Sequence, residues 1–115
     1  MRIAFPTNNL KTISNHTALS KYIAIVEIEN GQIIERIAVK NPIPQMASKI
    51  ASSEEHGRGL GAGKIIPRIL LDYDVDVFIA RDIGEGMREN LKYAGIKVII
   101  SEEKEIGKIL EKIGG

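Results

Sequence analysis

Apolar and polar positions change period several times along the chain, and the changes outline its elements. The run Ile3-Ala4-Phe5 stops at Pro6, which has no N–H to give a central ladder, so a short first strand is predicted over residues 1–6. The polar stretch from Thr7 to Ser20 predicts a loop. Residues 22–29 (YIAIVEIE) and 33–39 (IIERIAV) are rich in branched apolar side chains and flank Asn30-Gly31. Asn-Gly suits a type I′ turn, in which both central residues need positive φ, so the two segments are predicted to pair as a tight antiparallel hairpin. A two-residue turn sets Glu27 diagonal to Arg36 on one face, within reach of it.

Residues 40–60 hold Pro42, Pro44, serines and mixed charges without a sustained period, and they predict a long excursion of the kind that usually serves function. From Gly63 the period becomes helical, with Ile65, Ile66, Ile69, Leu70 and Tyr73 on one face and Pro67 expected in the first turn, where amides have no partner within the helix. Residues 75–80 (VDVFIA) predict a strand. Met87, Leu91 and Ala94 mark the buried face of a second helix that stops at Gly95. Residues 97–100 (KVII) predict the last strand. Ser101 is the expected cap of a final helix, with Glu102, Glu103 and Glu105 complementing its positive end and Ile106, Ile109, Leu110 and Ile113 as its buried stripe. The order β-β-β-α-β-α-β-α predicts one α/β domain over residues 1–115, a mixed sheet covered by helices with the later strands parallel.

Composition narrows the chemistry. Of 115 residues, 43% are hydrophobic and 27% charged, enough for one core and a charged exterior. Sixteen basic and fifteen acidic residues leave a formal charge of +1, so no global field draws the chain to nucleic acid or to a membrane surface. No cysteine is present, which excludes disulfides, thiol nucleophiles and thiolate-held metal centres. The first residues have neither the basic start nor the apolar length of a signal or a membrane span, which predicts a cytoplasmic protein. Abundant Ile, Glu and Lys, without Cys or Trp, point to a thermophilic or archaeal source.

The candidate site starts from the glycine run His56-Gly57-Arg58-Gly59-Leu60-Gly61-Ala62-Gly63-Lys64 ahead of the first helix. Such glycines let successive amides converge on an anion, the helix adds its own unpaired amides, and Arg58 and Lys64 supply charge. Neither the Walker nor the dinucleotide pattern fits, because Ile65 follows Lys64 and no strand precedes the run. A second turn, Arg81-Asp82-Ile83-Gly84-Glu85-Gly86, leads from a strand into a helix, where open α/β sheets collect ligands. If the first and fourth strands are parallel neighbours, the His16 loop, the His56 run and the Gly84 turn meet at one edge of the sheet. Asp72, Asp74 and Asp76 bracket a turn at the other end, so only Asp82 and Glu85 could serve catalysis at this rim.

Several segments together resemble the dinitrogenase iron–molybdenum cofactor biosynthesis family: residues 1–7 (MRIAFPT), the His16 loop leading into residues 22–28, the run from His56 to Gly63, Ile83-Gly84-Glu85-Gly86, and residues 94–98 (AGIKV). The resemblance spans nearly the whole chain in order. It implies a ribonuclease H-like three-layer fold whose five-stranded mixed sheet has the order 3-2-1-4-5 with strand 2 antiparallel. It further implies a small carrier of an anionic metal–sulfur or molybdenum-type cofactor, such as an iron–sulfur or iron–molybdenum cluster held without cysteine, working with cofactor-assembly proteins. His16, His56, Gly57, Arg58, Gly59, Gly61, Gly63, Lys64, Arg81, Gly84 and Gly86 are then the candidate cofactor-binding residues. The chain departs from the family's common His-Phe-Gly-Arg with His16-Thr17-Ala18-Leu19, and has Arg81-Asp82 where relatives often carry glycines. A phosphate- or nucleotide-handling enzyme and a regulatory protein-interaction module are the alternative readings of the same loops.

Overall fold

A computed structural model describes residues 1–45 and 62–114. Five strands form one sheet: β1 (Arg2–Thr7), β2 (Tyr22–Glu29), β3 (Gln32–Lys40), β4 (Val77–Ala80) and β5 (Lys97–Ile100). Their order is β3-β2-β1-β4-β5, with β1, β4 and β5 parallel and β2 antiparallel to its neighbours. Three helices pack on it: α1 (Ala62–Asp72), α2 (Glu85–Tyr93) and α3 (Ile106–Gly114).

Alternation along the strands sorts side chains onto the two faces. Ala4, Ile23, Ile25, Phe78 and Ala80 point to one face, where Ile66 and Leu70 of α1 and Met87 and Leu91 of α2 cover them. Ile3, Phe5, Val26, Ile28 and Ile79 point to the other, beneath Ile106, Ile109 and Leu110 of α3. The result is a three-layer α/β arrangement. Ile113 continues the α3 stripe in sequence but stays exposed. Among the described residues no helix is long and apolar enough to cross a membrane.

Local details depart from the sequence pattern for identifiable reasons. Strand β1 runs through Pro6 to Thr7, because Pro6 lies beyond the last β1–β4 pair, Ala4↔Phe78, and its missing N–H removes no rung there. Asn30 and Gly31 adopt φ of 52° and 75°, as a type I′ turn requires. A bulge then leaves Ile34 unpaired, so Glu27 faces Glu35 and Val26 faces Arg36. One extra residue turns Arg36 to the opposite face from Glu27, and the expected diagonal pair is not formed. Glu27 pairs instead with Arg2, directly across from it on β1, at 3.2 Å.

Pro67 is the sixth residue of α1 rather than part of its first turn. A proline there deprives the carbonyl four residues back of its amide partner. That carbonyl belongs to Gly63, and the side-chain amide of Asn90 in α2 donates to it at 2.7 Å. Ser101 does not cap α3 either. Its hydroxyl donates to the Glu103 carbonyl at 3.0 Å, while the Glu103 carboxylate accepts the amides of Lys104 and Glu105. The excursion after β3 begins with Asn41 and Ile43 buried, and residues 43–45 enter a helical turn.

Candidate functional site

Because β1, β4 and β5 are parallel, their carboxyl ends open at one rim, the edge where α/β sheets commonly receive ligands. The loop after β1 reaches this rim and is tied down by neutral side chains. Thr7 Oγ1 accepts the Leu10 amide at 2.9 Å and donates to the Thr12 carbonyl at 2.6 Å. Asn9 Oδ1 accepts the Lys11 and Thr12 amides, both at 2.9 Å. Backbone bonds from Ile13 to Lys104 and from Ile106 to Lys11 stitch the loop to the turn between β5 and α3.

The second half of the loop carries His16. Ser14 Oγ accepts the His16 amide at 3.1 Å, and the Thr17 hydroxyl donates to the Asp82 carbonyl in the turn after β4. From the other side, buried Asn41 donates to the carbonyls of Ala18 (3.1 Å) and Ser20 (2.8 Å) and accepts the Ile43 amide. The loop is thus held at both ends and from beneath, and the His16 imidazole is left exposed at its crest. His16, Thr17, Leu19, Ile83, Gly84 and Met87 line a shallow depression of about 220 Å³.

Gly84 occupies the N-cap position of α2 with extended backbone (φ −69°, ψ 153°) and offers no side chain to the first-turn amides. Neither sterics nor dihedral angle demands glycine here. A Cβ added at Gly84 or at Gly86 meets nothing within 4 Å. Both positions leave the approach to the positive end of α2 open. Gly63 differs: its added Cβ lies 3.5 Å from the Met87 amide nitrogen, so its smallness serves the close approach of α1 to α2.

The remaining candidates scatter. Arg81 turns toward the β5–α3 turn, where its guanidinium donates to the Glu102 carbonyl at 2.8 Å. In the same turn the amide of Glu105, followed by the charge of Lys108, holds the Glu103 carboxyl below its ordinary range. Lys64 lines a separate groove between α1 and α2. Asp82 and Glu85 are exposed at the rim. His56, Gly57, Arg58, Gly59 and Gly61 lie outside the described residues. The rim is therefore built from His16, the Asp82–Gly84 turn and the first turn of α2, with Thr17 and Asn41 holding it in shape. Sequence reading passed over both of these. The Asn41-Pro42 step was the available signal, since an asparagine there commonly bonds its own backbone two residues on.

Among the described residues no group of three His, Asp or Glu side chains is placed to hold a metal ion. What the rim offers is outer-sphere chemistry: exposed amides, a helix end and an imidazole, all able to donate to an anion.

A mixed five-stranded sheet in the order β3-β2-β1-β4-β5 with helices on both faces defines a three-layer α/β protein. The chain belongs to the dinitrogenase iron-molybdenum cofactor family, whose model matches residues 1–114. Among solved structures, the protein PH0822 is similar over 100% of this chain and 91% of its own, with 19% identity and a TM-score of 0.76. The apo form of the orange protein from Desulfovibrio gigas is similar over 97% of this chain and 85% of its own, with 16% identity and a TM-score of 0.70. A dinitrogenase-named protein from Methanocaldococcus jannaschii covers 99% of this chain and 88% of its own, with 18% identity and a TM-score of 0.69. These likenesses establish the fold. No curated protein matches the chain in sequence.

Proposed function

We propose that the protein is a small carrier that captures an anionic metal–sulfur or molybdenum-type cofactor at the carboxyl rim of the sheet and releases it to cofactor-assembly proteins. The observation that carries the reading is the uncapped first turn of α2, kept clear by Gly84 and Gly86, beside the exposed imidazole of His16. A preassembled cluster already has its metals bridged by sulfide, so its carrier needs hydrogen-bond donors rather than thiolates. Charge-assisted hydrogen bonds contribute about 1.5–3 kcal/mol each. Three or four of them approach the ~8 kcal/mol of micromolar binding before ordering costs are subtracted. Such capture is reversible, as transfer requires. His56, Arg58 and the glycines Gly57, Gly59 and Gly61 extend the proposed donor set on sequence grounds, and family membership supports the class of cargo.

The test is an anaerobic titration of the protein with a preassembled iron–molybdenum–sulfur cluster, followed by visible absorption, and with molybdate, followed by equilibrium dialysis. Saturable binding of either probe is expected, weakened several-fold by His16→Ala and by Gly86→Ala. No binding of either probe, or binding indifferent to both substitutions, overturns the reading. Phosphate-ester turnover abolished by Asp82→Asn would replace it with an enzymatic one.

A further inference from the structure

The sheet ends in two edge strands that are finished differently. Strand β3, at one edge, carries Glu35, Arg36 and Lys40 and is bent by the bulge at Ile34, and charge and irregularity of this kind keep an edge from pairing with another chain. Strand β5, at the other, has the apolar run Val98-Ile99-Ile100 with no charge inside it. Ile99 and Ile100 are 37% and 44% exposed. They point to opposite faces, since Ile99 lies beside Ile79 on the α3 face and Ile100 beside Ala80 on the face covered by α1 and α2.

The backbone of β5 is used on one side. The amides of Lys97 and Ser101 donate to the Asp76 and Ala80 carbonyls, toward β4. Backbone direction alternates along a strand, so Ile99 also faces β4, while the amides and carbonyls of Val98 and Ile100 face outward. Among the described residues no strand lies beyond β5. Another strand satisfies such groups, and it must be apolar on both faces to cover Ile99 and Ile100. Charge sets its direction. Lys97 flanks the run at one end and Glu102 at the other, and among the described residues neither belongs to an ion pair. The strand that fits runs antiparallel, with a cation before its own apolar run and a carboxylate after it. Strand β5 has that length, that composition and those ends.

We infer that β5 pairs with β5 of a second copy of the chain, antiparallel about a two-fold axis at Ile99. Val98 of each copy then exchanges backbone bonds with Ile100 of the other, the Ile99 side chains meet across the axis, and Lys97 lies alongside the Ser101–Glu102 end of the second copy. The rims of the two copies open at opposite edges of the joined sheet, clear of the contact.

Sedimentation equilibrium of the full chain over a wide concentration range, together with oxidative cross-linking, tests the assignment. A monomer–dimer equilibrium is expected, shifted to monomer in Ile99→Lys, which sets like charges against each other at the axis, and weakened a few-fold in Lys97→Glu, the scale of exposed ion pairs. The chain has no cysteine of its own, so a single introduced thiol reads the register. Residues opposed without mutual backbone bonds lie about 4.5 Å apart between Cα atoms, within disulfide reach. Ile99→Cys is therefore expected to form a covalent dimer on mild oxidation far faster than Lys97→Cys, which lies off the axis. A monomer at every concentration overturns the inference, as does a dimer indifferent to Ile99→Lys or to Lys97→Glu, or cross-linking no faster at position 99 than at position 97. Cofactor capture is not read in this experiment, so the two proposals stand or fall separately.

Discussion

The two ends of the sheet solve the same problem, finishing parallel strands, with opposite chemistry. At the amino end the charges around Arg2 are matched to one another or to backbone. Arg2 pairs with Glu27 at 3.2 Å and donates to the Tyr73 carbonyl at 2.7 Å, its amide donates to the Asp76 carboxylate, and the Met1 amine meets Glu27 at 2.9 Å. At the carboxyl end the backbone of the loop after β1 is satisfied by neutral Thr, Ser and Asn side chains, while His16, Asp82 and Glu85 stay exposed. Paired charges hold β1, β2 and β4 in register. Neutral stitching holds a loop in shape while leaving donors and charges available to a ligand. The first is locked by ions around Arg2, and the second is a loop fixed in shape around side chains that remain exposed.

Substitutions can break or sharpen that contrast. The largest effect is expected at Asn41→Ala, which leaves the Ala18 and Ser20 carbonyls and the Ile43 amide without partners in a buried place. A loss of about 2–3 kcal/mol in denaturant unfolding is expected. Thr17→Val keeps the shape but removes the hydroxyl that reaches Asp82, and about 1–2 kcal/mol should go with it. Amide exchange in residues 16–20 should quicken while the amino end is unaffected. Gly86→Ala is expected to raise stability by about 0.5–1 kcal/mol, since alanine favours the helix and meets open space, while weakening cofactor capture. A gain in stability without loss of capture would remove the argument that this glycine is kept for the ligand.

The smallest effect belongs to the matched end and appears as pH dependence. The hydrogen bond from the Met1 amine and then that from Arg2 hold the Glu27 carboxyl below its ordinary value. A depressed carboxylate pKa contributes stability that is complete above the unfolded value, near 4.5, and is lost as pH falls through the folded one. Partial exposure of the pair and salt screening keep the contribution small. Glu27→Gln should flatten the acid limb of a stability–pH profile and leave binding at the rim unchanged.

The sequence carried local structure well and long-range order less well. Asn30-Gly31 announced the hairpin because its turn chemistry is local. Strand order is not written in periodicity, and 3-2-1-4-5 was legible only through family resemblance. Two of the errors depended on a partner far along the chain or on one extra residue. Pro67 sits inside α1 because Asn90 satisfies the carbonyl it strands. Glu27 and Arg36 part company because Ile34 is bulged out. At the site, the adjacency of His16 and Gly84 followed from β1 and β4 being parallel neighbours, whereas the clamp by Asn41 links residues more than twenty positions apart and left no periodic trace.

The missing hydrogen on Pro67 has an effect beyond its own helix. Apolar surfaces tolerate sliding and rolling against one another, because greasy contact is nearly indifferent to a small rotation. The stranded oxygen of Gly63 is not indifferent, since a directional acceptor can be met by Asn90 in one alignment of the two helices. A local defect in one helix thereby works as an address label read by the other, and it selects the alignment that places the start of α2 at the edge of the sheet.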